Sequence, residues 1–177
     1  PHRKRNLARW DCRVAFFHAP TEEEVYVRSP PGLRKRGKLW RLWKAMYGTR
    51  DAAQNWAEIV ASHLLEICSV RRGKSNPCVF FHEQRQIALL VHGDDYVSVG
   101  EPEQLRWLRG ELESRFEMKT VVIGNGDNDL KEARVLNRVV RCTPDGWEYE
   151  PDQRHGEIVV EELGLTQAKG VKSPSED

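Results

Sequence analysis

The chain has no apolar run approaching the roughly 18–20 residues that a membrane-spanning helix needs. Its longest such stretch is Ile87-Ala88-Leu89-Leu90-Val91. The opening residues Pro1 to Arg9 are basic and hold no apolar segment of the kind a secretory signal carries. Four cysteines, Cys12, Cys68, Cys78 and Cys142, form no C-x-x-C pair, and the six histidines stand at no zinc-ligand spacing from them. No internal repeat and no low-complexity linker is present. These absences argue against a membrane span, a disulfide-stapled secreted domain, a zinc ribbon and a solenoid. The expectation is a soluble, intracellular chain with buried free thiols. Lacking an initiator Met, its basic start reads as the edge of a longer polypeptide.

What remains is an ordinary globular composition: 177 residues, 39% hydrophobic, 31% charged and 8% aromatic. A chain of this length buries roughly 70% of the surface its unfolded form exposes, enough for a real core. The net charge of +1 conceals an asymmetry. Residues 1–75 carry 16 Lys+Arg against 7 Asp+Glu, and residues 76–177 carry 12 against 20. A basic half of net +9 suits a polyanionic partner, although two solvated faces would give the same count.

Ala8 to Phe17 is rich in strand formers, and its start reads as a strand with Asp11 near the end. Val25-Tyr26-Val27 stops at the turn signal Ser29-Pro30-Pro31-Gly32; the basic stretch Arg34 to Lys38 follows, then a strand from Leu39 to Leu42. Ala52, Trp56, Ile59, Val60, His63, Leu64 and Ile67 recur at helical spacing between Asp51 and Cys68. Val79–His82 and Gln86–His92 read as a hairpin, and Tyr96–Val99 resumes the strand pattern beyond Gly93-Asp94-Asp95. Pro102 opens a helix in which Leu105, Leu108, Leu112 and Phe116 share a face. Gly124 to Asp129 is a loop. Ala133–Cys142 and Trp147–Glu150 are strands around Thr143-Pro144-Asp145-Gly146, and a last helix runs from Asp152 to Leu163. This is an α+β pattern with a mostly antiparallel sheet.

The sharpest local feature is His92-Gly93-Asp94-Asp95-Tyr96 between two apolar strands. Adjacent aspartates repel, and a divalent cation relieves that repulsion, because hard oxygen ligands are what Mg²⁺ takes. A plain polar turn selects Gly and Asp as well, so the motif alone leaves both readings open. Asp11 ends a second apolar strand. If it lies beside the 94–95 hairpin, three carboxylates converge where two metals would promote an in-line phosphoryl displacement.

The chain as a whole resembles the reverse transcriptase of copia-type LTR retrotransposons. Asp11-Cys12-Arg13-Val14-Ala15-Phe16-Phe17 is similar to the family's first catalytic motif, an Asp followed at fixed distance by Ala-Phe. Glu24-Val25-Tyr26-Val27 with Pro30-Pro31-Gly32 matches the block that follows it. Leu42-Trp43-Lys44-Ala45-Met46-Tyr47-Gly48 with Trp56, then Lys74 to Phe80, then Phe116-Glu117-Met118-Lys119, resemble later blocks. Gly93-Asp94-Asp95 stands in the place of the aromatic-x-Asp-Asp box.

The resemblance implies a polymerase palm-like fold with helices packed on one face of the sheet. It implies an RNA-directed DNA polymerase working by two-metal nucleotidyl transfer from a dNTP to a primer 3′-hydroxyl. Asp11, Asp94 and Asp95 would be catalytic and hold two Mg²⁺ ions, with Mn²⁺ as a substitute, and Asp11 and Asp94 are the surer ligands. Phe16 would be nucleotide-binding, the aromatic that blocks a ribose 2′-hydroxyl. The implied partners are an RNA or DNA template with primer, dNTPs and other parts of the polyprotein, with no membrane. The implied localisation is intracellular, in a cytoplasmic particle and then the nucleus. Residues 1–151 would be palm, with the fingers largely missing before them, and 152–177 a truncated start of the thumb or connection.

Two departures bear on activity. His92 and Gly93 replace the usual start of the aromatic-x-Asp-Asp box, and Asp51 stands near where the family has a Gln, so that it repels a triphosphate or caps the following helix. The alternatives are a catalytically inactive nucleic-acid-binding remnant and an unrelated metal-dependent phosphohydrolase using the same three acids.

Overall fold

The structure is a computed structural model that describes residues 5–66, 68–150 and 153–170. The chain forms two compact units, one reaching Leu130 and the other starting at Lys131.

In the first unit, β1 (Asn6–Cys12) has buried residues at every second position, from Asn6 through Ala8 and Trp10 to Cys12. That period of two seats one face on the core and leaves Arg9 and Asp11 on the other. After Cys12 the chain leaves the sheet. Val14 takes a left-handed conformation (φ 49°), rare for a β-branched residue, and a short 3₁₀ turn covers Ala15–His18. The strand expected at the start of Ala8–Phe17, with Asp11 near its end, is β1.

β2 (Pro20–Val27) and β3 (Trp40–Lys44) form a separate two-stranded antiparallel ribbon. Helix α1 (Ala52–Glu66) buries Trp56, Val60, Ala61 and Leu64; the expected end at Cys68 passes through residue 67, outside the described residues. Then come β4 (Arg71–Arg72), β5 (Val79–His82), β6 (Ile87–His92), β7 (Asp95–Gly100), α2 (Pro102–Glu113) and β8 (Met118–Ile123). The six-stranded sheet runs β4-β5-β6-β7-β1-β8, and every pairing is antiparallel. Helices α1 and α2 share one core with its buried face: Trp10, Leu89 and Tyr96 of the strands join Trp56 and Leu64 of α1 and Leu105, Leu108 and Leu112 of α2. The fold is α+β with a mostly antiparallel sheet and helices on one face.

The second unit holds β9 (Glu132–Val135), β10 (Arg138–Thr143), β11 (Gly146–Glu150) and α3 (Gln153–Glu162). The single strand expected over Ala133–Cys142 is instead two strands, because Leu136 and Asn137 both adopt positive φ (46° and 61°) and turn the chain. Asn is a good left-handed residue, but Leu masks the signal. The last helix starts within one residue of the expected Asp152, which lies outside the described residues, and stops before Gly164 (φ +66°).

Candidate active site

β6 and β7 are joined by a two-residue turn, Gly93-Asp94, closed by the pairing of His92 with Asp95. Gly93 at φ +62° is what the first central position of a type II′ hairpin requires, so Asp94 is held at the tip and Asp95 begins β7. β1 lies antiparallel to β7 in a register that sets Asp11 opposite Asp95 and Trp10 opposite Tyr96. The Cys12 amide donates to the Asp94 carbonyl at 2.9 Å, which ties the tip to the end of β1. The structure thus brings all three sequence-predicted aspartates to one end of neighbouring strands, each partly exposed.

Their partners differ. Asp95 Oδ1 accepts from Arg9 Nη2 at 2.9 Å and from Arg9 Nε at 3.1 Å. Arg9 lies two residues before Asp11 on the same open face, and sequence reasoning missed it, since nothing local joins positions 86 apart. Asp11 and Asp94 have no hydrogen-bonded or ion-paired side-chain partner among the described residues, so their oxygens remain available. Their negative field nevertheless converges on their neighbours. Burial first, then the charges of Asp11, Asp94 and Glu117, pushes the Cys12 thiol up to about 12. The Tyr47 phenol is also raised, by burial, then Asp94, Cys12 and Asp11, against a hydrogen bond to the Ala15 backbone. The Tyr96 phenol is raised by burial, then by Cys12 and Asp94.

Two hard carboxylates with free oxygens, brought to one strand end by the β1–β7 register and the Cys12–Asp94 backbone bond, fit a divalent cation of the Mg²⁺ type. No three His, Cys, Asp or Glu side chains among the described residues gather into a metal-holding group. Two carboxylates is a number Mg²⁺ commonly takes from protein before substrate phosphates and water complete its shell.

An aromatic wall stands beside the pair. Phe16, half-buried against the core, packs on Tyr47 at 4.5 Å between ring centroids, and Phe17 meets the same ring edge-on at 6.1 Å. Tyr47 is 48% exposed beside the half-buried Phe16. Behind the turn, Trp56 of α1 donates its indole N–H to the Gly93 carbonyl at 2.7 Å. Asp51 precedes α1, where its carbonyl accepts from Asn55 N–H at 2.9 Å; its carboxylate makes no cap among the described residues. A cavity of about 870 Å³ opens on the other face of β1, between Ala8, Trp10, Thr120 and Leu105, and contains none of the three aspartates.

The basic stretch lies on the ribbon. Arg28, Arg34, Lys35, Arg36 and Lys38 line a cleft of about 450 Å³. Trp43 is 71% exposed, with the Arg41 guanidinium 4.4 Å from its ring centroid. Arg41 also pairs with Glu24 at 2.8 Å, and Lys44 donates to the His18 carbonyl at 3.3 Å.

Residues 2–141 match the model of a protein family described as reverse transcriptase (RNA-dependent DNA polymerase). The chain is 30% identical over 126 residues to the transposon Ty1-DR1 Gag-Pol polyprotein of Saccharomyces cerevisiae, an alignment covering 71% of this chain and 7% of that protein. The truncated transposon Ty1-A Gag-Pol polyprotein of the same yeast is 29% identical over 126 residues, covering 10% of its length. The chain therefore spans a tenth or less of the length of these relatives. Among solved structures, apo telomerase from Candida tropicalis, truncated from the C-terminal domain, aligns with a TM-score of 0.48 and 9% identity over 82% of this chain and 35% of that one.

Proposed function

Because the chain belongs to the reverse transcriptase (RNA-dependent DNA polymerase) family, and to its copia-type branch, we propose that the open end of β1 and β7 is the catalytic centre of a template-directed DNA polymerase. The observation that carries this reading is the β1–β7 register, which sets Asp11 beside the Asp94-Asp95 tip. Asp11 and Asp94 would hold Mg²⁺, and Asp95 secures the tip through Arg9. When bound, Mg²⁺ lowers the pKa of the primer 3′-hydroxyl and neutralises charge developing on the dNTP triphosphate. The chain's own residues do the placing. The two carboxylates would place the cation, and the Phe16–Tyr47 wall would face the sugar and disfavour a 2′-hydroxyl.

From Arg28 to Arg50 the chain carries eight basic residues and no acidic one, which suits the phosphate backbone of a template and primer. We assign residues 1–151 to the palm and 152–177 to the start of the thumb or connection. In the intact polyprotein the enzyme would act in a cytoplasmic particle before its DNA reaches the nucleus. Among the described residues no helix is long and apolar enough to cross a membrane.

The test is a Mn²⁺ titration of the wild type, Asp11→Asn and Asp94→Asn, followed by heat or by paramagnetic broadening. The expected result is binding by the wild type and at least tenfold weaker binding by each single substitution. Absence of wild-type binding, or an untouched affinity in Asp11→Asn, overturns the shared site. One observation favours a second reading, an inactive nucleic-acid-binding remnant: Asp51, whose carboxylate makes no helix cap among the described residues, adds a negative charge near where the family usually has a Gln. In that case nucleic-acid binding persists with salt dependence and ignores divalent metal.

A further inference from the structure

A hairpin ladder satisfies the backbone of His92 and Asp95, but in a two-residue turn the carbonyl of the first central residue lies outside that ladder. Here that residue is Gly93, directly before Asp94, and its carbonyl has a dedicated donor. Trp56 Nε1 of α1 reaches it at 2.7 Å from 37 positions away.

The donor is fixed from every side. Trp56 is 1% exposed, and its ring meets Phe116 edge-on at 5.2 Å and His18 at 5.9 Å. Phe116 is in turn met edge-on by His63, also of α1, at 5.3 Å. An indole so packed has little freedom to follow a moving turn, and a buried indole N–H left without an acceptor is costly. On the far side of the tip, the Cys12 amide holds the Asp94 carbonyl at 2.9 Å. The two peptide carbonyls that flank the Asp94 Cα are therefore anchored by different elements, one by the helix beneath the sheet and one by the strand that carries Asp11. A glycine at φ +62° with no atom within 4 Å of its would-be Cβ offers no steric restraint of its own. The hydrogen bonds supply it.

We infer that Trp56 is a positioning residue for the metal-binding carboxylate pair: its indole N–H sets the orientation of the Gly93-Asp94 peptide and so aims the Asp94 carboxylate at the ion it shares with Asp11. Trp56 touches neither metal nor substrate. This role rests on the reading of Asp11 and Asp94 as the metal pair.

The experiment compares Mn²⁺ affinity, with Mn²⁺ alone as the probe, in the wild type, Trp56→Phe and Ile87→Val, alongside thermal melts of each. Ile87 is buried at the start of β6, the end away from the Gly93-Asp94 turn, so Ile87→Val lowers stability without touching the indole or its packing. Loss of a hydrogen bond worth about 1 kcal/mol corresponds to about fivefold in affinity, so Trp56→Phe binds Mn²⁺ about fivefold or more weakly. Ile87→Val melts lower yet binds within twofold of wild type. A folded Trp56→Phe that keeps wild-type affinity overturns the inference, as does an Ile87→Val variant that loses affinity equally.

If Trp56→Phe fails to fold, the wild type labelled with ¹⁵N-tryptophan supplies the answer. The Trp56 indole resonance shifts on saturation with Mg²⁺, and Asp94→Asn abolishes the shift. A resonance that ignores Mg²⁺ overturns the inference. Wild-type protein that binds no Mn²⁺ is a separate result, which removes the carboxylate pair and this role with it.

Discussion

At the scale of single residues, burial and local charge set the chemistry. Cys12 and Cys68 are buried thiols pushed up to about 12 and about 11, both chiefly by burial, while Cys78 is exposed. The thiolate is the reactive form, so at pH 8 a disulfide reagent such as DTNB titrates one thiol of the native protein rapidly and all four only in denaturant. Rapid labelling of Cys12 in the native state would contradict the buried end of β1. His63 is 3% exposed, and burial holds its imidazole below the ordinary value, Arg115 adding to the effect against a hydrogen bond to the Glu111 carbonyl. His82 is lowered in the same way, by burial and then Arg85. The unfolded chain therefore takes up protons near pH 6.5 that the folded chain refuses, and stability is lost as pH falls through that range. Thermal melts from pH 7.5 to 5.5 will show a falling Tm, with a shallower fall in His63→Gln. A Tm that stays level or rises on acidification would show that neither histidine is held neutral.

At the scale of elements, the sheet and the ribbon differ in what supports them. The six-stranded sheet rests on α1 and α2 through fully buried side chains such as Trp10, Leu108 and Leu112. The β2–β3 ribbon has two strands only; Val25, Val27 and Leu42 are half-buried while Tyr26, Trp40 and Trp43 are exposed. Two-stranded ribbons are marginal on their own. Trypsin will therefore cut first within Arg34–Lys38, before any site in β5–β8, as read by mass spectrometry of timed digests. First cuts in β6 or β7 would mean that the sheet, and with it the carboxylate end, is the weaker element. The elements were unevenly legible. The Leu105-Leu108-Leu112 spacing and the flanks of Gly93-Asp94 announced α2 and the β6–β7 hairpin. β8 is not legible as a strand because Met118-Lys119-Thr120 shows no clean alternation, being half-buried or exposed at the edge of the sheet. The turn at Leu136-Asn137 is equally hidden, because Leu is a poor left-handed residue that here adopts φ 46°.

At the scale of the whole molecule, the charge asymmetry bears on the proposed encounter with nucleic acid. Each phosphate contact on a single strand contributes about −0.7 to the slope of log affinity against log salt. Replacing Arg34, Lys35, Arg36 and Lys38 together with alanine should flatten that slope by about two to three on single-stranded RNA or DNA. Filter binding across a salt series measures it, and an unchanged slope would place the polyanion surface elsewhere on the net +9 half.

The sequence by itself determined the family, the α+β class, the long helices and the three aspartates as candidates, because each rests on residue order or on a period of two or 3.6 read along one stretch of chain. Only the tertiary structure decided which carboxylates are free and which is held. Arg9 meets Asp95 across 86 positions and Trp56 meets Gly93 across 37, and no local pattern encodes either meeting. Strand partners and helix docking are chosen by the burial of whole faces, a property of the assembled core; the polar contacts at its edge follow from where that packing leaves each backbone.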